Sequence, residues 1–202
     1  MTGKPILSSD TFNFLRAWWR APRSIGALAP SGPSLARLMT QHIDHRHGSV
    51  IELGPGTGVF TRALLAGGLP LHQLALVEAD PVFAKALAHR HAGARVLCLD
   101  AAELANTLPL FGEELACAVV SGLPLRSMRQ AQVARIVRGV FEQQLQTDGV
   151  FYQFTYGLRC PLPRSLLEQL DLEVVRVGSV IFNLPPATVY CIRRRKLAHV
   201  TV

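Results

Sequence analysis

The sequence feature that most constrains the fold is residues 50–58, Val-Ile-Glu-Leu-Gly-Pro-Gly-Thr-Gly. Its apolar residues predict a buried strand, and its alternate glycines predict a sharp turn into the helix that follows. Glycine also lets the backbone approach a ligand that a Cβ atom would exclude. Glu52 places a carboxylate just before the turn, where a buried strand is normally apolar. The stretch therefore predicts a turn that binds a nucleotide-like ligand carrying a cationic group.

Strands and helices alternate along the rest of the chain. Further strands are predicted at residues 74–77, 95–99, 115–120 and 149–156, and helices at residues 81–91, 127–146 and 163–170. The two final strands, residues 172–182 and 188–193, have no helix between them, so the last must run antiparallel. The sequence thus predicts an α/β, Rossmann-like fold: a seven-stranded, mostly parallel sheet with an antiparallel last strand and helices on both faces.

Charge indicates the class of partner. The 202 residues carry a net charge of +7, which favours contact with a polyanion, either nucleic acid or an anionic membrane surface. No apolar run reaches the ~18 residues needed to span a bilayer, and the N-terminus lacks the pattern of a signal peptide.

The cysteines and histidines do not predict a metal site. The four cysteines are widely spaced, which is typical of reduced thiols in a cytosolic protein rather than of disulfides or zinc ligands. His42, His45 and His47 cluster before the first strand, and no cysteine or further histidine shares their spacing.

Residues 10–20, DTFNFLRAWWR, are predicted to form an amphipathic helix. One interpretation packs this helix on the domain core. The other lays it in a membrane surface, because both tryptophans of the chain lie here beside arginines. We therefore expect a cap at residues 1–33, made of this helix and a linker, and the α/β domain at residues 34–202. The expected membrane-facing residues of the helix are Phe12, Leu15, Trp18 and Trp19.

Three acids lie at the ends of three predicted strands: Glu52, Glu78 and Asp100. With the glycine turn and the final hairpin, residues 34–195 resemble the class I S-adenosylmethionine-dependent methyltransferases. The resemblance implies that Glu52 balances the cofactor's charges, Glu78 binds the ribose hydroxyls and Asp100 accepts from the adenine amino group. The cofactor-binding residues that it implies are Glu52, Gly54, Gly56, Thr57, Gly58, Glu78, Ala79, Asp100, Ala101 and Ser121.

Residues 121–125, Ser-Gly-Leu-Pro-Leu, follow the fourth strand, where amino methyltransferases hold the acceptor nitrogen. The run is similar to the Asn-Leu-Pro-Tyr of the ribosomal RNA adenine dimethylases, with Ser121 in place of the amide and Leu125 in place of the aromatic. That change removes a base-stacking platform worth ~1–3 kcal/mol and favours an alkyl amine. The residues expected to contact the amine or receive its proton are Ser121, Gly122, Leu123, Tyr152 and Tyr156.

Nearly the whole chain resembles the bacterial phospholipid N-methyltransferases, which methylate phosphatidylethanolamine towards phosphatidylcholine. The matching segments are FLRAWWRAPRSIGALAPS, VIELGPGTGVFTRALL, VVSGLPL and NLPPATVY. The resemblance implies a peripheral enzyme on the cytoplasmic, inner face of the membrane, bound to anionic phospholipid through its N-terminal helix. Arg23 and Ser24 are expected to hold the lipid phosphate, and Asn183 to line the substrate entrance.

Alternative functions stay open at this point. One is an ornithine-lipid N-methyltransferase. Another is a methyltransferase acting on RNA adenine or a different amino group. A third is a module that binds the cofactor or the membrane without turnover. The sequence favours the lipid over nucleic acid because of residues 121–125 and the tryptophan-bearing helix.

Overall fold

The structure, a computed structural model, describes residues 32–181 and 186–196, and its centre is a seven-stranded sheet. The strands are β1 (Val50–Leu53), β2 (Leu74–Glu78), β3 (Arg95–Cys98), β4 (Ala116–Ser121), β5 (Leu145–Tyr156), β6 (Leu172–Val180) and β7 (Ala187–Arg194). They lie in the order β3-β2-β1-β4-β5-β7-β6, with β7 antiparallel to both of its neighbours. The predicted mostly parallel sheet with an antiparallel last strand is confirmed.

Helices cover both faces of this sheet. They are α1 (Pro33–Thr40), α2 (Val59–Ala66), α3 (Pro81–Arg90), α4 (Gln130–Gly139) and α5 (Arg164–Gln169). One apolar cluster joins α1, α2 and α3 to one face. A second cluster joins α4, α5 and the 3₁₀ turn Ala101–Asn106 to the other face. The helices on both faces are therefore confirmed as well.

Strand β1 lies where the strand order reverses. The chain moves outward from β1 to β2 and β3 on one side, and β4 then pairs with β1 on the other. All four residues of β1 are buried. In open α/β sheets, ligands bind outside the carboxyl ends of the strands at such a switch point. The topology therefore places the glycine turn, which follows β1, at the expected binding edge.

The helix predicted at residues 127–146 is wrong in its extent. Helix α4 ends at Gly139, a single π-helical turn covers Val140–Gln144, and β5 begins at Leu145. The sequence keeps apolar residues at helical spacing through Phe141. However, Leu145 pairs with Ala116 at the start of β4, and this tertiary pairing extends the strand backwards.

Within the described residues, 32–181 and 186–196, no helix has the length and apolar character needed to cross a membrane. All four cysteines are free thiols.

Candidate active site

Backbone hydrogen bonds hold the carboxyl ends of four strands together. The bonds run from Leu99 N to Glu78 O at 3.0 Å, from Gly54 N to Val77 O at 2.9 Å, and from Gly122 N to Leu53 O at 2.8 Å. The residues after β1, β2, β3 and β4 therefore form one continuous edge. The residues that the sequence predicts to bind the cofactor, and those of the loop after β4, lie along this edge.

The glycine turn packs directly on the loop after β4. Gly54, Gly56 and Gly58 all have positive φ angles, of 63°, 51° and 76°, which side chains with a Cβ atom rarely adopt. A Cβ atom on Gly54 would also lie 2.7 Å from Leu123 Cδ2, and one on Gly122 would lie 2.7 Å from Gly54 O. The Leu123 side chain thus occupies the space beside Gly54, and the turn and the loop leave no room for a Cβ atom on Gly54 or Gly122.

Two arginines brace the exposed part of the turn. Arg62 Nη1 donates to the Thr57 carbonyl oxygen at 2.9 Å, and Arg90 Nη1 approaches the same oxygen at 3.4 Å. Arg62 belongs to α2 and Arg90 to α3. The backbone of Thr57 is therefore held from two helices, and both contribute positive charge near the turn.

Glu52 is a fully buried carboxyl with one unsatisfied oxygen. Its Oε2 accepts a 2.6 Å hydrogen bond from Thr61 Oγ1, in the first turn of α2. Its Oε1 has no hydrogen-bond partner among the described residues. Burial raises the pKa of Glu52 to about 7, the Thr61 hydroxyl opposes that rise, and the nearby Glu78 adds to it. A cationic donor reaching Oε1 would satisfy the oxygen and stabilise the ionised form.

Glu78 ties the end of β2 to the glycine turn. Its Oε2 accepts from Gly56 N at 3.0 Å, and its Oε1 accepts from Asp80 N at 2.9 Å. Burial raises the pKa of Glu78, while the backbone N–H groups of Asp80 and Gly56 counteract the rise. Each carboxylate oxygen can accept more than one hydrogen bond. The carboxylate is therefore held in one orientation and keeps capacity to accept further donors. Ala79, beside it, is exposed.

Asp100 lies two residues beyond β3 and caps the 3₁₀ turn Ala101–Asn106. Its Oδ1 accepts from Ala102 N at 2.9 Å, and its Oδ2 accepts from Gln132 Nε2 at 3.3 Å. Ala101 is buried beside it. The side chain is partly exposed at the strand edge, oriented by contacts from both the turn and α4.

The loop after β4 presents Leu123 and Pro124, whereas Ser121, Gly122 and Leu125 are buried. The hydroxyl of Ser121 is enclosed and accepts from Leu123 N at 3.3 Å. The Leu123 carbonyl accepts from Leu125 N at 3.0 Å. The enclosed serine thus acts on the conformation of its own loop.

Gln153 is a buried residue at this edge that the sequence reasoning missed. It pairs with Ser121 across β4 and with Tyr190 across β7, so the three side chains share a face of the sheet. Its Nε2 donates to the Leu123 carbonyl at 2.9 Å and to the Phe154 carbonyl at 2.8 Å. The available signal was a single amide side chain among the mostly apolar and aromatic residues 150–156 at the end of β5.

Tyr152 and Tyr156 lie on the opposite face from Ser121. Tyr152 pairs with Val120, one residue before Ser121, and side chains alternate along a strand. Both tyrosines pack in the cluster beneath α1 and α2. Burial raises the pKa of Tyr152 well above its usual range. The structure therefore does not bring Tyr152 together with the loop after β4.

Several predicted residues lie outside the described ranges. They are Phe12, Leu15, Trp18, Trp19, Arg23, Ser24 and Asn183. Within the described part of the chain, no group of three or more His, Cys, Asp or Glu side chains is arranged to hold a metal ion.

The fold is shared with methyltransferases of known structure. A mitomycin 7-O-methyltransferase is 20% identical with a TM-score of 0.61 over 93% of this chain, which spans 60% of the length of that protein. A glycopeptide N-methyltransferase in complex with S-adenosylmethionine is 14% identical with a TM-score of 0.61, covering 86% of this chain and 99% of that one. No protein-family model matches the chain.

Sequence comparison supplies the family. The chain is 32% identical over 188 residues to an ornithine lipid N-methyltransferase of Singulisphaera acidiphila, covering 91% of this chain and 96% of that enzyme. Sequence identity at this level over nearly the full length of both chains shows that the two proteins belong to one family. The chain therefore belongs to the same family as that enzyme, the S-adenosylmethionine-dependent N-methyltransferases.

Proposed function

We propose that the protein transfers the methyl group of S-adenosylmethionine to the amine of a membrane-lipid head group. The observation that carries a lipid amine over a nucleic-acid base is the burial of Leu125, which is 3% exposed in the core beneath the loop after β4. Without an aromatic at this position, a base would lose stacking worth ~1–3 kcal/mol. An alkyl amine needs no such surface. The name of the Singulisphaera relative also supports a lipid substrate.

The strand-end residues fit S-adenosylmethionine. The buried carboxyl of Glu52 lies just before the glycine turn, and its Oε1 has no partner among the described residues. An ammonium group on the ligand would satisfy that oxygen. When bound, the cofactor supplies a methyl group on a positively charged sulfur. In this proposal Glu52 faces the ammonium group, and the remaining lone pairs of Glu78 accept from the ribose hydroxyls.

The other strand-end residues complete the proposed cofactor site. Asp100 is assigned to the adenine amino group, with Ala101 and Ala79 against the nucleoside. The backbone of Gly56, Thr57 and Gly58 forms the wall of the site, supported by the arginine contacts to Thr57.

The chain's own part in the reaction is alignment and exclusion of water. A primary amine has a pKa of ~10 and reacts only when neutral. Ser121, Gln153 and Tyr190 pair across neighbouring strands and form a row on one face of the sheet. Among the described residues, this row offers hydroxyls and an amide, but no carboxyl or imidazole that could accept the proton. We therefore propose that the amine loses its proton to solvent as it is buried beside the cationic cofactor. The loop residues Gly122 and Leu123 then hold it in line.

Two head groups are candidates for the acceptor. The sequence resemblance to the phospholipid N-methyltransferases favours phosphatidylethanolamine. The 32% identity to an ornithine lipid enzyme favours ornithine lipid as the second candidate. Both present an alkyl amine next to an acyl-chain surface.

Membrane attachment is proposed for the segment that precedes α1. Phe12, Leu15, Trp18 and Trp19 would insert at the cytoplasmic leaflet, aided by the net charge of +7. Arg23 and Ser24 would meet the lipid phosphate, and Asn183 would line the entrance. We propose that this cap comprises residues 1–33 and that the catalytic domain comprises residues 34–202.

The head group is tested with methyl-labelled S-adenosylmethionine and two sets of vesicles. Each set contains phosphatidylglycerol, and one adds phosphatidylethanolamine while the other adds ornithine lipid. Vesicles of phosphatidylglycerol alone are the control. The proposal expects label in the extracted lipid of at least one amine-containing set and none in the control. Absence of label from both would refute a lipid-amine acceptor, and label in one alone assigns the head group.

A further inference from the structure

Gln153 lies at the junction between the two halves of the proposed site. Its side chain is 0% exposed, although it ends in a carboxamide. It is placed on β5 opposite Ser121, the last residue of β4. A buried amide at this point must be held by hydrogen bonds to offset the loss of water.

Two backbone carbonyls determine which way this amide points. Nε2 donates to the oxygens of Leu123 and Phe154. A flipped amide would place its own oxygen against both carbonyl oxygens, so the observed orientation is the one with matched donors and acceptors. The bond to Leu123 crosses from the strand to the loop after β4 and therefore ties that loop to β5.

The tethered loop bears directly on the glycine turn. The side chain of Leu123 fills the space over Gly54, and Gly122 N donates to the Leu53 carbonyl at 2.8 Å. A shift of Leu123 therefore changes the distance between the residues proposed to hold the acceptor and those proposed to hold the cofactor. Displacements of about 1 Å can lower a rate by about 100-fold.

We infer that Gln153 is a positioning residue that holds the Leu123 carbonyl and so sets the acceptor loop against the cofactor turn. This inference rests on the proposed function in one respect, the assignment of residues 121–124 to the acceptor. The Gln153 side chain acts through the two N–H groups of its amide, and the carboxamide oxygen has no partner among the described residues. Loss of the donors, rather than of the oxygen, is the change that matters.

Two substitutions distinguish the effect of the hydrogen-bond donors of Gln153 from the effect of the shape of its side chain. Gln153→Met keeps the length of the side chain and removes both donors. Gln153→Glu keeps the shape, and donates one O–H to Leu123 only while the buried carboxyl is protonated. A matched control is Gln144→Met, because Gln144 is also buried and ties a loop through Leu108 O at 3.3 Å and Leu110 N at 3.0 Å.

Methyl transfer and cofactor affinity are measured for each variant on whichever acceptor the wild type labels, with lipid and RNA both offered. Labelling of RNA and not of lipid by the wild type would refute the proposed function and leave the test of Gln153 intact, whereas labelling of neither would overturn both. We expect kcat of Gln153→Met to fall about 100-fold, with the S-adenosylmethionine Kd within about threefold of wild type and thermal stability close to that of Gln144→Met.

The Glu variant adds a pH readout that a purely structural role would not move. Its kcat relative to wild type should fall about tenfold between about pH 6 and about pH 9, as the donating proton is lost. The same ratio for Gln153→Met should stay flat. A Glu variant with wild-type kcat at high pH would overturn the inference, and so would a kcat for Gln153→Met equal to that of Gln144→Met. If the Met variant does not fold, the Glu variant carries the test.

Discussion

Glu52 should make the folded protein less stable as pH rises, whereas most carboxyl groups make a protein more stable. The substitution Glu52→Gln should remove this pH dependence. The pKa of Glu52 is raised from 4.5 to about 7 in the folded protein, first because of burial, with Glu78 adding and Thr61 and Arg62 opposing. The folded state therefore binds the proton more tightly than the unfolded chain. The stability that this group contributes is complete below about pH 4.5 and is lost as pH rises through about 7.

The size of the effect follows from the shift. Between about pH 5 and about pH 8, the two pKa values imply that the wild type loses about 2.5 kcal/mol relative to the Gln variant. The variant leaves a buried amide N–H group beside the glycine turn, at a cost of about 1–3 kcal/mol. That cost does not depend on pH, so the readout is the change in the stability difference with pH rather than its absolute value.

Urea unfolding of both proteins without cofactor, at steps between about pH 5 and about pH 8, measures this change. Glu113→Gln, at an exposed glutamate, controls for the loss of one carboxyl. A difference between wild type and Glu52→Gln that stays constant with pH, or that moves the other way, would refute a buried, proton-binding Glu52. Glu52→Gln should also bind S-adenosylmethionine more weakly than wild type above about pH 7, because the amide cannot carry the negative charge of the ionised Glu52.

Three further predictions concern the same site and its cap. Thr61→Val should weaken S-adenosylmethionine binding at neutral pH about tenfold or more, since a hydrogen bond to a charged group contributes about 1.5–3 kcal/mol. Calorimetry should show that Thr61→Ser, which keeps a hydroxyl, recovers the affinity. Equal Kd values for the Val and Ser variants would contradict the role of the hydroxyl. Gly54→Ala should abolish cofactor binding. Gly112→Ala, at a similar φ of 75° with nothing within 4 Å of its Cβ position, should cost only about 1–2 kcal/mol of stability. Equal effects of the two substitutions in binding and denaturation assays would show that backbone strain, and not the contact with Leu123, accounts for the loss. Replacing Trp18 and Trp19 by Ala should lower sedimentation with anionic vesicles and leave the cofactor Kd unchanged; undiminished sedimentation would count against the proposed anchor.

The positions of the strands and their directions could be predicted from the sequence, because each strand is an apolar run between turn residues or helices. Alternation with helices predicted parallel pairing, and the short link after residue 182, with no helix, predicted the antiparallel β7. The glycine turn and the acids at the carboxyl ends of β1, β2 and β3 (Glu52, Glu78 and Asp100) were predictable because parallel strands end at one edge of the sheet. These features depend on residues close together in the chain.

The parts that the sequence did not reveal depend on register. Tyr152 was a reasonable candidate from its place near the end of β5, but its face follows from pairing with Val120, across a strand pair whose register shifts between Ala116 and Ala118. The tether of Gln153 to Leu123 joins residues 30 positions apart. Neither relation leaves a periodic signal that could be read before the fold is known.

The measurement that tests the central claim most directly is the partition of label in a single mixture. The 202-residue protein is incubated with methyl-labelled S-adenosylmethionine, bulk RNA, and vesicles of phosphatidylglycerol with phosphatidylethanolamine and ornithine lipid. Glu78→Gln serves as the matched variant with a weakened cofactor site. We predict that label enters the organic extract with wild type, falls with the variant, and stays out of the RNA. Label confined to the RNA, or absent from both fractions while the cofactor still binds, would contradict a lipid-amine methyltransferase.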